Sequence, residues 1–253
     1  MVLEFLNALT QAGYRIFSVN DARTVIEDLG LKVSSTSYLL EALLAKKAIR
    51  QLFKGLYAIE DNLLAGSPLH KFEIATHLVK TGSISCWSAM SYYELTDQVL
   101  SKVYILTPYA ANKKRPKYCY KIDGYEYVII PITENNFWGT QRVFVGETKV
   151  TLTDLERTLL DGLIRPTYCG GFREVLNAFL IAKDNIDIKK IIEYSQHCST
   201  AVQKRLGWVL TQLSIENIDK KLMIGETHYF DKLDPSGPRR GKLNKQWMIM
   251  ENF

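Results

Sequence analysis

Ala48-Ile49-Arg50-Gln51-Leu52-Phe53-Lys54-Gly55-Leu56-Tyr57-Ala58-Ile59 is a basic, aromatic segment interrupted by one glycine, and three short helical patterns precede it. Apolar residues on both sides of Lys54-Gly55 predict a hairpin with Gly55 in the tight turn, and Tyr57 and Ile59 pin its second strand to a core. Upstream, Val2, Phe5, Leu6 and Leu9 recur at helical spacing until Gly13. Ser18-Val19-Asn20-Asp21 has the form of a capping box, a hydroxyl followed three residues later by an acid. Ala22, Val25, Ile26 and Leu29 then make the apolar face of a second helix, stopped by Gly30. After Leu31-Lys32-Val33, the hydroxyl cluster Ser34-Ser35-Thr36-Ser37 predicts the cap of a third helix that buries Leu39, Leu40, Leu43 and Leu44. Three helices followed by a hairpin is the order of a winged helix-turn-helix, a module that docks a helix in the DNA major groove.

The third helix is the expected reader. Hydroxyls at its N-terminus (Ser34, Ser35, Thr36 and Ser37) suit a phosphate backbone, because they donate hydrogen bonds where the helix dipole attracts an anion. Tyr38 and Glu41 lie further along and reach toward base edges, with Glu41 able to accept from a cytosine amine. Arg50 and Lys54, on the hairpin, are expected to grip phosphates beside the groove. Residues 1–60 hold seven Lys or Arg and six Asp or Glu, so any basic surface here is local. The plainer alternative is that these helices and hairpin only cap a larger domain.

The chain of 253 residues is long enough for two domains, and the polar, turn-rich stretch from Glu60 to Pro68 is the expected break. That gives a DNA-binding domain over 1–62 and a second domain over 68–253. A hydrophobic content of 47% with 23% charged residues is ordinary for a globular protein, and a net charge of +5 tolerates nucleic acid without demanding it. Cys86, Cys119, Cys169 and Cys198 are spread without paired spacing, as in reduced thiols of a cytoplasmic protein. No leader pattern, membrane span or internal repeat is evident, and no membrane partner is expected.

Beyond the break, helical and strand-like patterns alternate. Phe72, Ala75, Leu78 and Val79 suggest a helix, followed by an apolar segment over 83–87 and a short helix through Tyr92 and Tyr93. Strand-like runs follow at 103–107, 126–132 and 142–152, and Thr153-Asp154-Leu155-Glu156 opens a helix with another capping box. Further helices are expected at 172–183, 187–197 and 200–216, then short strands at 227–230 and 247–250. The fold class is α+β, a winged helix-turn-helix followed by a larger mixed α/β domain.

Several stretches resemble a known family. They are Ser85-Cys86-Trp87-Ser88-Ala89-Met90-Ser91-Tyr92-Tyr93-Glu94-Leu95-Thr96, Val150-Thr151-Leu152-Thr153-Asp154-Leu155-Glu156-Arg157-Thr158-Leu159-Leu160-Asp161, and Arg165-Pro166 with Gly170-Gly171-Phe172-Arg173-Glu174-Val175. Lys204-Arg205-Leu206-Gly207-Trp208 and Gly241-Lys242-Leu243-Asn244-Lys245-Gln246-Trp247 continue the pattern. In this order, behind a winged helix, they resemble the AbiEi antitoxins of type IV toxin–antitoxin systems, which act in abortive phage infection. The resemblance implies a repressor that binds its own double-stranded promoter DNA through the winged helix. It also implies a C-terminal domain that counters a nucleotidyltransferase-like toxin without a tight complex, with no cofactor and no catalytic or metal site.

The central block reads as a capped helix with a charged outer face. Arg157 and Asp161 stand at i and i+4, a spacing worth ~0.2–0.5 kcal/mol as an exposed pair. A functional alternative has Glu156, Arg157 and Asp161 holding the preceding strand and the Gly170-Gly171 turn in a binding-competent shape. The glycine pair itself reads as a flexible helix entry, since no phosphate-loop pattern surrounds it. Between Gln98 and Ile122 six basic residues occur without an acid: Lys102, Lys113, Lys114, Arg115, Lys117 and Lys121. Tyr104, Tyr109, Tyr118 and Tyr120 interleave with them, a mixture that suits nucleic acid through phosphate attraction and base stacking. A solvated hairpin would look the same. Arg239 and Arg240 mark a second basic loop. Enzyme motifs are lacking, apart from a weak nuclease-like hint in Glu147-Thr148-Lys149 with Asp123. Two further readings therefore stand beside the antitoxin: a stand-alone winged-helix regulator with a ligand-sensing or dimerisation domain, and a metal-dependent nuclease.

Overall fold

The computed structural model describes residues 1–64, 67–109, 118–215, 218, 222 and 229–253. They form two compact units, one of Met1–Lys80 with Lys121–Tyr125 and Phe144–Val150, the other of Thr81–Tyr120, Glu126–Val143 and Thr151–Phe253. The first unit therefore extends past the break expected at 62–68.

In the first unit, α1 (Val2–Gln11), β1 (Ile16–Ser18), α2 (Val19–Asp28), α3 (Thr36–Ala45), β2 (Ile49–Phe53) and β3 (Leu56–Ile59) follow one another. β3 pairs antiparallel with both β1 and β2. This is the winged helix-turn-helix topology. Phe5, Leu9, Phe17, Ile26, Leu39, Leu43 and Ile59 fill its core, the residues that helical and strand periodicity place inward. The capping box forms as expected: the Ser18 hydroxyl accepts from the Asp21 N–H at 3.2 Å, and the Asp21 carboxylate accepts from the Ser18 N–H at 2.6 Å. Gly55 turns the hairpin at φ +78°, where a side chain would be strained, and its carbonyl accepts from Val19 N–H at 3.0 Å.

The same unit continues into α4 (Lys71–Leu78), whose Glu73 is buried. Arg15, in the loop before β1, satisfies that carboxylate, with Nε 2.9 Å from Glu73 Oε2 and Nη2 2.8 Å from the Ser67 carbonyl. Glu73 also accepts from Thr148 Oγ1 and from the His70 N–H. Burial pushes the His70 imidazole below its usual pKa.

The second unit holds most of a six-stranded mixed sheet made of β4 (Ser83–Ile84), β5 (Lys102–Pro108), β6 (Cys119–Ile122), β7 (Tyr125–Ile132), β8 (Thr140–Val145) and β9 (Thr148–Thr153). The strand order is β6-β7-β5-β4-β9-β8, with β5/β7 and β4/β9 parallel and β4/β5 antiparallel. Five helices accompany it: α5 (Cys86–Tyr92), α6 (Leu155–Ile164), α7 (Phe172–Ala182), α8 (Ile188–Ser195) and α9 (Thr200–Gln212). A small sheet of β10 (Asp231–Lys232), β11 (Lys242–Asn244) and β12 (Ile249–Glu251) closes the chain, in the order β10-β12-β11. The fold is α+β.

Three expectations are corrected. The run over 142–152 is two strands, because Gly146 at φ +58° bends the chain back. The first terminal strand lies at Asp231–Lys232 rather than 227–230, and residues 227 and 228 are outside the described ones. The N-cap of α6 is Asp154, not Thr153: the Asp154 carboxylate accepts from the Arg157 N–H at 2.9 Å, while the Thr153 hydroxyl is 2.8 Å from Thr158 Oγ1.

Helix α6 packs on α5, α7, α8 and α9. On α9, Gly207 lies under the buried Trp247 ring, whose Nε1 donates to Thr211 Oγ1 at 3.0 Å. A Cβ at Gly207 would sit 2.2 Å from that ring. Alanine is the better helix former by about 1 kcal/mol, yet Gly207→Ala is expected to destabilise the protein by about 1–3 kcal/mol through overpacking. Urea unfolding of the variant checks this, and an unchanged midpoint would show that Trp247 moves aside freely.

Candidate nucleic-acid interface

Helix α3 turns Leu39, Leu40 and Leu43 inward, which leaves Ser37, Tyr38 and Glu41 on its solvent face. Tyr38 is 61% exposed and Ser34, one turn earlier, is also exposed. Lys54 is exposed at the hairpin tip beside the partly exposed ring of Phe53. A hydroxyl, a phenol and a carboxylate on one helix face, with a cation at the adjoining wing, can bond to base edges and to a phosphate. Phe53 is a residue that motif reading missed. Strand alternation carried the signal for it, because the neighbouring Leu52 is buried.

Three of the sequence-derived residues do other work. The Thr36 hydroxyl is buried and donates to the Val33 carbonyl at 2.6 Å, so it is unavailable to DNA. Ser35 stands at the N-cap of α3, but its side chain caps nothing, because a 3-10 turn over Val33–Ser35 runs straight into the helix. Arg50 is enclosed by carboxylates: Nη1 is 3.2 Å from Glu60, Nε 3.1 Å from Asp123 and Nη2 3.9 Å from Asp61. Its charge is neutralised within the first unit, which leaves Lys54 as the candidate of the two for a phosphate contact.

The basic run through 98–122 is only partly visible as a surface. Lys113, Lys114, Arg115 and Lys117 lie outside the described residues. Lys102 is paired with Glu126 at 3.1 Å, and Tyr104 is buried in β5 rather than presented for stacking. Tyr118 is 55% exposed, with its hydroxyl 3.3 Å from that of Tyr168. Arg239 and Arg240 are exposed just before β11.

The central motif is internal. Glu156, Arg157 and Asp161 are all buried, which corrects the expected charged outer face of α6. Arg157, 2% exposed, stacks its guanidinium 3.8 Å above the Trp138 ring centre. Its Nε donates to Asp161 Oδ1 at 3.0 Å and its Nη1 to the Asn136 carbonyl at 3.0 Å. Burial pushes the Asp161 carboxyl above its usual pKa, and the Arg157 charge opposes that shift. Glu156 accepts from the Asp187 N–H, the N-cap of α8, at 3.1 Å, and pairs with Lys190 at 2.8 Å. Asp154 takes Lys190 at 3.1 Å and the Tyr194 hydroxyl at 2.9 Å. Gly170 and Gly171 enter α7 at φ +78° and +98°, a left-handed step that fits the expected helix entry, and Gly170 lies against Trp87. Tyr93 ties α5 to this region by donating to the Thr153 carbonyl at 2.8 Å, and burial raises its hydroxyl to about 12.

The nuclease-like trio does not assemble into a metal centre. Asp123 faces Arg50, Glu147 lies 3.5 Å from Arg15, and among the described residues no three His, Cys, Asp or Glu side chains converge on one point. The four cysteines are free thiols, and among the described residues no helix is long and apolar enough to cross a membrane.

Two expected outcomes follow from these placements. Lys54→Ala should weaken DNA binding evenly across sequences and flatten its salt dependence by about one phosphate's worth. Tyr38→Ala should instead change discrimination at particular base positions, and Thr36→Val should do neither. Fluorescence anisotropy on a mutated-site panel over a salt series separates the three, and equal losses for Lys54 and Tyr38 would displace α3 as the reader. For the buried motif, Asp161→Ala leaves the Arg157 charge uncompensated and should cost about 3–5 kcal/mol. Asp161→Asn, which keeps an acceptor for Nε, should cost less. Equal denaturation midpoints for the alanine variant and the wild type would contradict this.

No family model and no curated protein matches the chain. Among solved structures it is similar to the RV2827C protein from Mycobacterium tuberculosis, at 12% sequence identity and a TM-score of 0.70, over 98% of this chain and 90% of that one. At that identity the likeness establishes the shared fold alone.

Proposed function

We propose that this chain is a DNA-binding repressor of its own operon and the antitoxin of a type IV toxin–antitoxin pair, with the second unit counteracting a nucleotidyltransferase-like toxin. The observation that carries the DNA-binding half is the free face of α3. Ser37, Tyr38 and Glu41 point to solvent on a helix whose inner face is fully used by the core, and Lys54 stands at the tip of the wing. None of these four side chains is needed to close the fold, which is what a reading surface requires. The antitoxin half rests on the sequence resemblance and on the buried character of its most specific block. Asp154, Glu156, Arg157 and Asp161 act in it as positioning residues that set the helices around α6, so whatever meets the toxin lies on the surface those helices carry.

The two halves separate in one experiment. In cells carrying a cognate nucleotidyltransferase-like toxin gene and a reporter behind the chain's own promoter, Tyr38→Ala combined with Lys54→Ala should derepress the reporter several-fold and still rescue growth at equal protein level. Full repression by that double variant would remove the winged helix from the mechanism. Failure of the wild-type chain to rescue would remove the antitoxin assignment.

A further inference from the structure

A pocket of about 190 Å³ opens in the second unit beside the buried motif, lined by Asn136, Trp138, Arg157, Arg165, His197 and Ser199 together with apolar neighbours and Cys198. No carboxylate lines it. Arg165, at the C-terminal end of α6, is half-buried, yet its guanidinium makes no hydrogen bond or ion pair with any described residue. Its backbone is fixed, with its N–H donating to the Asp161 carbonyl at 2.8 Å and Pro166 following directly. The structure thus places a cation at a pocket wall with no hydrogen-bonded or ion-paired partner among the described residues, attracted only at longer range by Asp161. A partly buried arginine whose fork is open at a pocket wall is set to take an anion through charge-assisted, bidentate hydrogen bonds.

The surrounding groups favour the same ligand. Arg157 uses Nε and Nη1 on Asp161 and Asn136, and its Nη2 makes no hydrogen bond to a described residue. Two arginines and no carboxylate in the lining, with Asp161 and Asp154 set behind it, leave the pocket wall cationic. Ser199 is the N-cap of the thirteen-residue α9, its hydroxyl caps nothing, and no acid occupies that helix's first turn. The dipole of α9 therefore adds to the arginine field at the same wall. The volume holds about a dozen waters' worth of positions, more than a bare tetrahedral anion fills.

We propose that this pocket binds the phosphoryl group of a small phosphate compound, with Arg165 as the principal ligand and Arg157 Nη2, His197 and the Ser199 hydroxyl as supporting donors. The site is distinct from the DNA-reading face and does not depend on the repressor or antitoxin assignment. Inorganic phosphate and a phosphate monoester present the same head group, so both sources are tested.

The test is isothermal titration of the full chain with sodium phosphate and, separately, ribose 5-phosphate, at constant ionic strength set with sodium chloride. Binding by at least one of them is expected. Arg165→Gln should raise its Kd at least tenfold in a protein that still melts cooperatively. Arg165→Lys, which keeps the charge and loses the planar fork, should fall between. The tighter ligand of the two identifies the source. A flat titration with both ligands up to 10 mM overturns the proposal, and so does binding that Arg165→Gln leaves unchanged. Should Arg165→Gln fail to fold, the arginine is structural and the proposal falls unless the folded Arg165→Lys variant shows the expected weakening. Loss of binding in Lys54→Ala with Arg165→Gln unaffected would put the phosphate on the winged helix and likewise overturn it.

Discussion

The second unit is organised by a nearly buried charge pair. Asp161 and Arg157 lie one turn apart on α6, at 0% and 2% exposure, 3.0 Å from each other. Burying two opposite charges costs least where their remaining hydrogen-bonding capacity is met, and here it is met in part, because Asp161 Oδ2 has no hydrogen-bond partner among the described residues. Arg157 meets its share by stacking on Trp138 and donating to the Asn136 carbonyl, which fixes the segment between β7 and β8 against the helix. At the other end of α6, Asp154 and Glu156 gather Lys190, Tyr194 and the Asp187 N–H, so α8 is oriented by the same helix. Around Lys190, burial pulls the ammonium pKa down, but the two carboxylates more than offset it and hold it well above its usual value. The polar side of α6 is thus a network with several members in common, in which each bond polarises the next. That network makes the fold specific where an apolar interface would permit sliding.

The first unit solves the opposite problem, since it has to leave polar groups unused. Its own requirements are met internally, by the Ser18–Asp21 box, the Thr36 hydroxyl on Val33, Arg15 on Glu73, and Arg50 among three carboxylates. Among the side chains left exposed, Ser37, Tyr38 and Glu41 share one face of α3 and Lys54 stands at the wing. With near-balanced charge over residues 1–60 and Arg50 neutralised, the unit has little long-range pull on DNA. Contact chemistry at the helix, more than bulk charge, then carries the proposed recognition.

How much of this was legible in the sequence depends on the range of the interaction. Local signals carried well: the periodicity of Phe5, Leu9, Val25, Ile26, Leu39 and Leu43, the capping box at Ser18 and the glycine turn at Gly55 all appear where expected, because each is decided within a few residues. The hydroxyl cluster at 34–37 misled for a physical reason. Whether a hydroxyl caps a helix or folds back on its own turn depends on the preceding backbone, and here a 3-10 turn takes the cap's place. Arg50 was out of reach, since one of its partners, Asp123, lies 73 residues away. The i, i+4 spacing of Arg157 and Asp161 was visible, but their burial is set by Trp138 and by helices packed from later in the chain. Arg165 carried no signal of its own, because being without a partner is a property of the folded state.

In the proposed function the exposed face of α3 reads a particular DNA sequence. The direct measurement is competition binding of the full chain to its own upstream promoter against random duplex at physiological salt. A preference of at least a hundredfold is expected, and it should collapse toward unity when Ser37, Tyr38 and Glu41 are together replaced by alanine in a protein that still melts cooperatively. Equal affinity for both duplexes, or a preference that survives the triple replacement, would contradict it.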